Sequence, residues 1–270
     1  MENIKQAVRE KYGSIAEGKG CGCGPVKTCC GSAGQLEQTS KSIGYSDEEL
    51  ANVPEGSNLG LGCGNPTAHA AIKEGDTVLD LGSGAGFDCF LAARKVGSEG
   101  RVIGVDMTHS MLDKARENAK KGGYTNVEFR LGEIEHLPVA DNSVDIIISN
   151  CVINLSPEKE KVFAEALRVL KPTGRFFISD IVLLKELHPE IKKSVEHYVG
   201  CVAGADLKAD YLRKIQEAGF VKIEVTQENH IEKQVVDWSG IPWEAVEESI
   251  DSIVSIKVTG SKPCGKNSCS

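Results

Sequence analysis

The fold of this chain is decided by the stretch Val78-Leu79-Asp80-Leu81-Gly82-Ser83-Gly84-Ala85-Gly86. Its apolar beginning is typical of a buried parallel strand, and its glycines allow a tight turn in which the backbone closely approaches a ligand. A dinucleotide site has the spacing G-x-G-x-x-G, which places a pyrophosphate at a helix N-terminus. The spacing here is G-x-G-x-G, and Asp80 would repel a pyrophosphate. These features favour a cationic ligand, and the sulfonium of S-adenosylmethionine is such a ligand.

Strands and helices alternate along the chain from this stretch onward. The first strand is predicted at 77–81 and the first core helix at 86–96. The pattern continues with strands at 101–105, 126–131, 144–149 and 175–180, helices at 108–121 and 156–170, and a turn at 171–174. Because such alternation produces parallel strands joined by right-handed crossovers, we predict an α/β fold with a Rossmann-like, doubly wound, mostly parallel sheet.

The regions on either side of this core give weaker signals. They predict helices at 3–15, 187–199 and 206–218, helix starts at Ser46 and Asn65, and late strands at 220–225 and 253–258. We therefore divide the chain into an N-terminal helix with a cysteine-rich loop (1–60), a donor-binding core (61–182), a smaller α+β C-terminal part that completes the fold (183–260) and a flexible tail with cysteines (261–270).

Charge and composition argue against several classes of function. The 270-residue chain carries a formal net charge of -8 and no basic cluster. Nucleic-acid binding usually rests on roughly 6–10 contacts between phosphates and clustered Lys or Arg. The first residues lack the apolar core of a signal peptide, and no run approaches the ~18 apolar residues of a membrane span. We therefore expect a cytoplasmic protein without a nucleic-acid or membrane partner.

Polar groups near the predicted strand ends are the candidate contacts of the methyl donor. Asp106 ends the second strand, where it is placed to accept hydrogen bonds from both ribose hydroxyls. The segment 132–135 follows the third strand, where the adenine should lie, although a solvated acidic loop accounts for Glu133 or Glu135 equally well. The predicted donor-binding residues are Asp80, Gly82, Ser83, Gly84, Gly86, Asp106, Met107, Ile134, Glu135 and Asn150.

Ten cysteines in a chain expected in a reducing compartment need a chemical reason. Cys151 follows the apolar run 143–150, and ligands of open α/β sheets bind outside the carboxyl ends of the strands. A thiol at that place favours a thiophilic substrate. Cys89, within the first core helix, is instead predicted to be a small buried apolar residue, and the six histidines are predicted to be surface or packing residues.

Residues 70–180 resemble the class I S-adenosylmethionine-dependent methyltransferases. Three cysteine contexts extend the resemblance over nearly the whole chain and narrow it to the arsenite methyltransferases. These contexts are Leu61-Gly-Cys63-Gly-Asn-Pro66, Ser149-Asn-Cys151-Val-Ile-Asn-Leu155 and Gly200-Cys201-Val-Ala-Gly-Ala205. The glycine loop is common to many methyltransferases, whereas this set of three motifs is highly specific.

The resemblance implies an enzyme of arsenic biotransformation and detoxification. It implies that As(III) is bound by Cys63, Cys151 and Cys201, that arsenite and methylated arsenicals are substrates, and that S-adenosylmethionine is the methyl donor. A thiol of the glutathione or thioredoxin type is implied as reductant. Tyr12 and the N-terminal helix are implied to cover the donor. Cys29 or Cys30 is implied to form a disulfide with Cys63, although the loop has four cysteines where the family has one.

The cysteines are also compatible with roles that do not involve arsenic methylation. Zinc prefers pairs spaced C-x₂₋₄-C, whereas Cys21 and Cys23 are separated by one residue and Cys29 and Cys30 are adjacent. A methyltransferase of a small organic or thiol acceptor could carry structural or zinc-binding cysteines. A thiol-rich protein that sequesters metalloid without catalysis is a third possibility, but it would need no donor site. The outer cysteines could relay arsenic, reduce a disulfide or do neither, namely Cys29, Cys30, Cys264 and Cys269.

Overall fold

The computed structural model describes residues 2–18, 33–231, 236, 238 and 240–264. Within these ranges the chain forms one sheet of seven strands. The strands are β1 (Thr77–Leu81), β2 (Arg101–Asp106), β3 (Val127–Leu131), β4 (Val144–Asn150), β5 (Leu170–Leu183), β6 (Val221–His230) and β7 (Ile253–Ser261).

The strand order across the sheet is β3-β2-β1-β4-β5-β7-β6. The pairs among the first five strands are parallel, whereas β7 runs antiparallel to both β5 and β6. The strand order reverses at β1. The chain first adds β2 and β3 on one side of β1 and then adds β4 on the other side. The predicted doubly wound, mostly parallel sheet is confirmed.

Helices cover both faces of the sheet and its carboxyl edge. The α-helices are α1 (Glu2–Ala16), α2 (Ala33–Ser42), α3 (Asp47–Ala51), α4 (Pro66–His69), α5 (Phe87–Val96), α6 (His109–Gly122), α7 (Lys159–Val169), α8 (Pro189–Lys192), α9 (Val195–Val199), α10 (Lys208–Glu217) and α11 (Trp243–Ser249). Short 3-10 turns follow β4 and α11, at Ile153–Leu155 and Ile250–Ser252. None of the helices in the described ranges is both long enough and apolar enough to cross a bilayer.

Alternate residues of β1 enter two different cores. Val78 of β1 packs with the apolar faces of α5 and α6, represented by Phe90 and Leu112. Leu79, the next residue, packs on the opposite side of the sheet with residues of α7 and α10, such as Phe163. Because successive side chains of a strand point to opposite faces, a strand buried on both faces is mostly apolar, as β1 is apart from Thr77 and Asp80.

The predicted helix starts at Ser46 and Asn65 are confirmed, whereas the helix predicted to be capped by Ser156 has Glu158 as its N-cap. The Asn65 side chain accepts a hydrogen bond from Ala68 N, and Ser46 forms a capping box with Glu49. Helix α7 instead begins after Glu158. Ser156 Oγ donates to Glu135 Oε1 (2.6 Å) and also accepts a hydrogen bond from Glu158 N (3.1 Å), the residue at which the helix is capped.

Four further differences separate the predicted elements from the observed ones. The predicted turn at 171–174 lies within β5, which begins directly after α7. The predicted helix 187–199 is broken into α8 and α9, and Ser194 between them interacts with the His197 backbone N–H and ring. Helices α2 and α11 were not predicted, and β6 continues five residues beyond the predicted end, to His230.

Candidate active site

A cleft that is open to solvent lies at the carboxyl ends of β1, β2 and β4. This is the edge at which open α/β sheets bind ligands. The loop after β1 lies on one side of the cleft, and residues of α1 and of the segment 57–62 lie on the others. Most of the predicted donor-site residues line it, namely Tyr12, Asp80, Gly82, Ser83, Gly84, Asp106, Met107, Ile134, Glu135 and Asn150. Cys151 lines it as well.

The glycine loop needs its glycines for two different reasons. Gly82 and Gly84 have φ of 67° and 51°, a left-handed backbone that disfavours side chains. Gly86, with φ of 93°, does not line the cleft. A Cβ at Gly86 would lie 2.8 Å from the ring of Phe129, so this glycine lets α5 pack closely on the sheet. We therefore assign Gly86 to packing rather than to ligand contact.

Asp106 fastens the glycine loop to the next helix. Its Oδ2 accepts a hydrogen bond from Gly84 N (2.9 Å), and its Oδ1 accepts one from Thr108 N (2.8 Å). Burial raises the pKa of this carboxyl, and the backbone hydrogen bonds oppose that rise. Asp106 also lines the cleft, so its carboxylate oxygens lie within reach of a ligand bound there.

Two further buried carboxyls face the cleft. Burial, and then the neighbouring Asp88, raise the pKa of Asp80 well above its usual value. Burial raises the pKa of Asp88 to about 6, although Tyr45 and Asn150 donate hydrogen bonds to it. A positively charged ligand would stabilise both carboxylates in their ionised form. Sequence reasoning missed Asp88, and the available signal was an acidic residue in the first turn of the helix after the glycine loop.

Helix α1 is attached to the cleft by ion pairs. Lys5 Nζ lies 2.7 Å from Glu133 Oε2 and 3.0 Å from Glu135 Oε1, and Arg9 also pairs with Glu133. Glu135 is only 3% exposed, so it does not belong to a solvated acidic loop. Tyr12, two turns after Lys5, donates a hydrogen bond to Val199 O (3.3 Å).

Three free cysteines meet beside the cleft although they are far apart in sequence. Cys151 follows β4, Cys201 follows α9, and Cys63 precedes α4. Hydrogen bonds with the side chains of Cys201 and Cys63, together with burial, raise the pKa of Cys151 well above its usual value. Cys151 and Cys201 are buried, and Cys63 is half-buried.

The thiols of Cys63 and Cys201 each also contact an oxygen atom. Cys201 Sγ donates to the carbonyl oxygen of Cys151 (2.9 Å), and Cys63 Sγ lies 3.7 Å from Ser179 Oγ. In the parts of the chain that the structure describes, no three His, Cys, Asp or Glu side chains form a ready-made metal site. The thiols of Cys63, Cys151 and Cys201 lie close together and form hydrogen bonds. Binding of a thiophilic atom would replace these hydrogen bonds with bonds to sulfur.

Two of the three cysteines have strained backbones. Cys151 has φ of 59° and Cys201 has φ of 65°, in the left-handed region that few non-glycine residues adopt. Such a conformation costs on the order of 1 kcal/mol and persists where surrounding contacts hold it. Here Cys151 N donates to Ser179 O (2.8 Å) and Cys201 N to Tyr198 O (2.9 Å). Strain of this kind is frequent at functional sites.

The remaining cysteines fall into two groups. Cys89 is fully buried in α5, as predicted for a packing residue, and its thiol donates to Asp80 Oδ2 (3.2 Å). Cys264 is disulfide-bonded. The other predicted relay or disulfide cysteines, Cys29, Cys30 and Cys269, lie outside the described residues, as do Cys21 and Cys23. Cys63 is a free cysteine, so the disulfide that the resemblance implied between Cys63 and Cys29 or Cys30 is wrong for this structure.

This strand order, with a glycine-rich loop after β1 and an acid at the end of β2, defines a class I S-adenosylmethionine-dependent methyltransferase. Residues 72–219 match the family model described as a methyltransferase domain. An arsenite methyltransferase of Halobacterium salinarum is 46% identical to this chain, over 97% of the chain and 67% of that protein. The chain belongs to the arsenite methyltransferase family.

Two further comparisons agree with this family. An arsenite methyltransferase of Aquipseudomonas alcaligenes is 40% identical over 84% of the chain and 65% of that protein. The crystal structure of the arsenic(III) S-adenosylmethionine methyltransferase of Chlamydomonas reinhardtii superposes with a TM-score of 0.64 at 32% identity, covering 85% of this chain and 74% of that one. The chain thus spans about two thirds of the length of the two curated relatives, which are covered to 67% and 65%.

Proposed function

We propose that this protein transfers methyl groups from S-adenosylmethionine to As(III) bound by Cys63, Cys151 and Cys201. The observation that carries the proposal is the meeting of three free thiols around Cys151, at the edge of a cleft with the features of a methyl-donor site. A protein that only sequesters metalloid would need the thiols but not the cleft. A methyltransferase of an organic acceptor would need the cleft but not the thiols.

The residues of the cleft fit the proposed donor. Asp106 lines the cleft, where its carboxylate can accept from ribose hydroxyls, and the Asp80 and Asp88 carboxyls favour a positive charge. Ser83 Oγ is buried at the cleft without a hydrogen-bond partner among the described residues, so a ligand group would satisfy it. Ile134 and Glu135 line the part proposed for the adenine. Bound there, S-adenosylmethionine supplies a methyl group on a positively charged sulfur.

The thiols do not need a base to bind arsenite. Hydrogen bonds and burial keep the Cys151 proton on sulfur at neutral pH by raising its pKa. Arsenite carries three hydroxyl groups, and each leaves as water by taking one thiol proton while an As–S bond forms. Three thiols and one As(OH)₃ thus give one As(SR)₃ and three waters, without net change in charge. Soft sulfur ligands are preferred by a soft centre such as As(III).

Orientation is the main contribution that the protein makes to methyl transfer. Three thiolates form the base of a pyramid and leave the arsenic lone pair free, and Cys151 places that pyramid at the cleft. The lone pair forms the As–C bond, and the electron pair of the broken C–S bond stays on the donor sulfur. Holding reactants in line lowers a barrier by roughly 7–11 kcal/mol in favourable cases. Arsenic formally loses two electrons, and two thiol groups of the glutathione or thioredoxin type return them as they join in one disulfide, which restores As(III) while one cysteine thiolate leaves arsenic.

The proposal is tested by arsenic speciation after incubation of the purified protein with arsenite, S-adenosylmethionine and thiol. We expect methylated arsenicals from the wild type and none from Cys151→Ser, because serine is nearly isosteric but offers a hard oxygen. Cys89→Ser is the matched control, since it changes a buried free cysteine outside the cluster and keeps a hydrogen-bond donor toward Asp80. Wild-type rates in Cys151→Ser would refute the thiolate site.

A further inference from the structure

We propose that Asn150 is a positioning residue for Cys63: its amide fixes the Cys63 loop, residues 61–65, so that Cys63 can complete the set of three thiolates. This proposal rests on the proposed arsenite methylation. It changes the role expected for Asn150, which lines the cleft and was predicted from the sequence to contact the donor. It also assigns a supporting role to Ser255 of β7, which does not line the cleft.

Hydrogen bonds hold the Cys63 backbone from both sides. Asn150 Oδ1 accepts a hydrogen bond from Cys63 N (3.0 Å), and Asn150 Nδ2 donates to Gly64 O (2.7 Å). Ser255 Oγ donates to Cys63 O (3.1 Å). Because Asn150 immediately precedes Cys151 in the chain, one short segment carries a thiol of the cluster and holds the backbone of a second.

The orientation of the Asn150 amide is set by its surroundings. Besides Gly64 O, the Nδ2 group faces two acceptors, Tyr45 OH (3.0 Å) and Asp88 Oδ2 (3.1 Å). Tyr45 OH in turn donates to Asp88 Oδ1 (2.7 Å). An amide turned the other way would direct its oxygen at acceptors and its N–H₂ at the Cys63 N–H. The network therefore leaves Oδ1 directed at Cys63.

Two glycines allow the loop to lie directly on the strand ends. A Cβ at Gly62 would lie 2.5 Å from Asn150 Nδ2, and a Cβ at Gly64 would collide with Ser179 Oγ. Ser179 Oγ also lies 3.7 Å from the Cys63 thiol. The Cys63 loop can therefore approach β4 and β5 closely for two reasons. Its glycines leave room for the strand residues, and the Asn150 amide forms hydrogen bonds to its backbone.

The consequence for the reaction is selectivity between substrates. Arsenite needs three sulfur ligands, whereas an arsenical that already carries one methyl group has only two valences left for thiolates. Cys151 and Cys201 are buried and joined by their own hydrogen bond, so they do not need the Cys63 loop to stay together. Loss of the Asn150 contact should therefore affect arsenite far more than a monomethylated arsenical.

The first test compares Asn150→Ala with the wild type. We expect kcat/KM for arsenite to fall by at least about tenfold, as the loss of two hydrogen bonds to one backbone segment implies. We expect kcat/KM for monomethylarsenite and the Kd of S-adenosylmethionine to stay within about threefold of the wild-type values. A large loss of donor affinity with an equal fall for both arsenicals would assign Asn150 to donor binding and overturn the proposal.

A second pair of variants keeps the test valid if Asn150→Ala does not fold. Ser255→Ala removes the hydrogen bond to Cys63 O without changing a residue of the cleft, so it should lower arsenite turnover selectively and in the same direction. Thr259→Ala is the matched control, because Thr259 lies on the same strand and donates to Phe176 O (2.9 Å), away from Cys63. Equal kinetics in the two variants would contradict the proposal.

A readout independent of catalysis separates this inference from the proposed function. Arsenite should protect Cys63, Cys151 and Cys201 of the wild type from alkylation, as measured for each cysteine by peptide mass spectrometry. In Asn150→Ala we expect Cys63 alone to become reactive. Equal protection of Cys63 in wild type and variant refutes the positioning role. Absence of methylation by the wild type, with Cys63 protection still lost in the variant, would instead refute the proposed activity alone.

Discussion

Asp106→Asn is the substitution that most directly tests the donor site. The change keeps the size of the side chain but removes its charge and turns one acceptor oxygen into an N–H₂ group. A hydrogen bond to a charged group contributes about 1.5–3 kcal/mol. If Asp106 accepts both ribose hydroxyls, loss of one such bond corresponds to a donor Kd that is higher by about 10- to 150-fold, since ~1.4 kcal/mol is tenfold.

The same substitution has a structural cost that must be measured separately. One of the backbone donors, Gly84 N or Thr108 N, would face the new N–H₂ group. We expect the free energy of unfolding to fall by about 1–3 kcal/mol. Isothermal titration calorimetry gives the donor Kd, and chemical denaturation gives the stability. A donor Kd of folded Asp106→Asn within about twofold of the wild-type value would contradict the contact between Asp106 and the ribose hydroxyls.

Asp145→Asn is the matched control for this experiment. Asp145 also accepts a backbone hydrogen bond, from Thr77 N (2.9 Å), but it lies at the amino end of β1, opposite the cleft. We expect this variant to lose stability without losing donor affinity. A parallel loss of donor affinity in both variants would mean that general destabilisation, and not a ribose contact, explains the result.

Three other predictions concern the thiols, pH and α1. Cys201→Ser should abolish methylation of arsenite and monomethylarsenite, whereas Cys63→Ser should spare the latter, as measured by arsenic speciation. Burial raises the pKa of Asp180 to about 7. Because this folded-state pKa lies above the unfolded value of ~3.9, stability should fall as pH rises from about 4 to 7, by up to about 4 kcal/mol, and Asp180→Asn should flatten that slope in denaturant titrations. Lys5→Met leaves the buried Glu135 without its ammonium partner, so hydrogen exchange of α1 amides should quicken by at least about tenfold; unchanged exchange would contradict this.

The central fold is predictable because its signals are local. The strand 77–81, the glycine turn and the helix after it each carry their own pattern within a few residues, and the structure places them where the sequence indicates. The alternation of strands and helices then restricts the topology through the right-handed crossover rule. Helix α2 carries no comparable signal, because its sequence is polar and its stability depends on contacts made elsewhere.

The candidate site is only partly predictable, because its geometry depends on contacts between distant residues. The glycine loop and Asp106 follow from their positions at strand ends. The contact between Asn150 and Cys63 joins residues 87 positions apart, and the hydrogen bond from Ser255 to Cys63 joins residues 192 positions apart. Neither leaves a local pattern in the sequence. The burial of Glu135 under Lys5 is of the same kind, since no sequence rule predicts that α1 packs over the loop after β3.

The left-handed backbones of Cys151 and Cys201 lower the stability of the fold, whereas the side chains at these positions supply the thiols of the site. Glycine would adopt these φ values at lower energy, by on the order of 1 kcal/mol at each position, but it has no sulfur. Substitution of both cysteines by glycine or asparagine would therefore increase stability and remove the thiols. A cysteine with a left-handed backbone at the carboxyl edge of the sheet therefore marks a place where the thiol is worth its cost in stability, and it can be sought in any chain of this fold before its substrate is known.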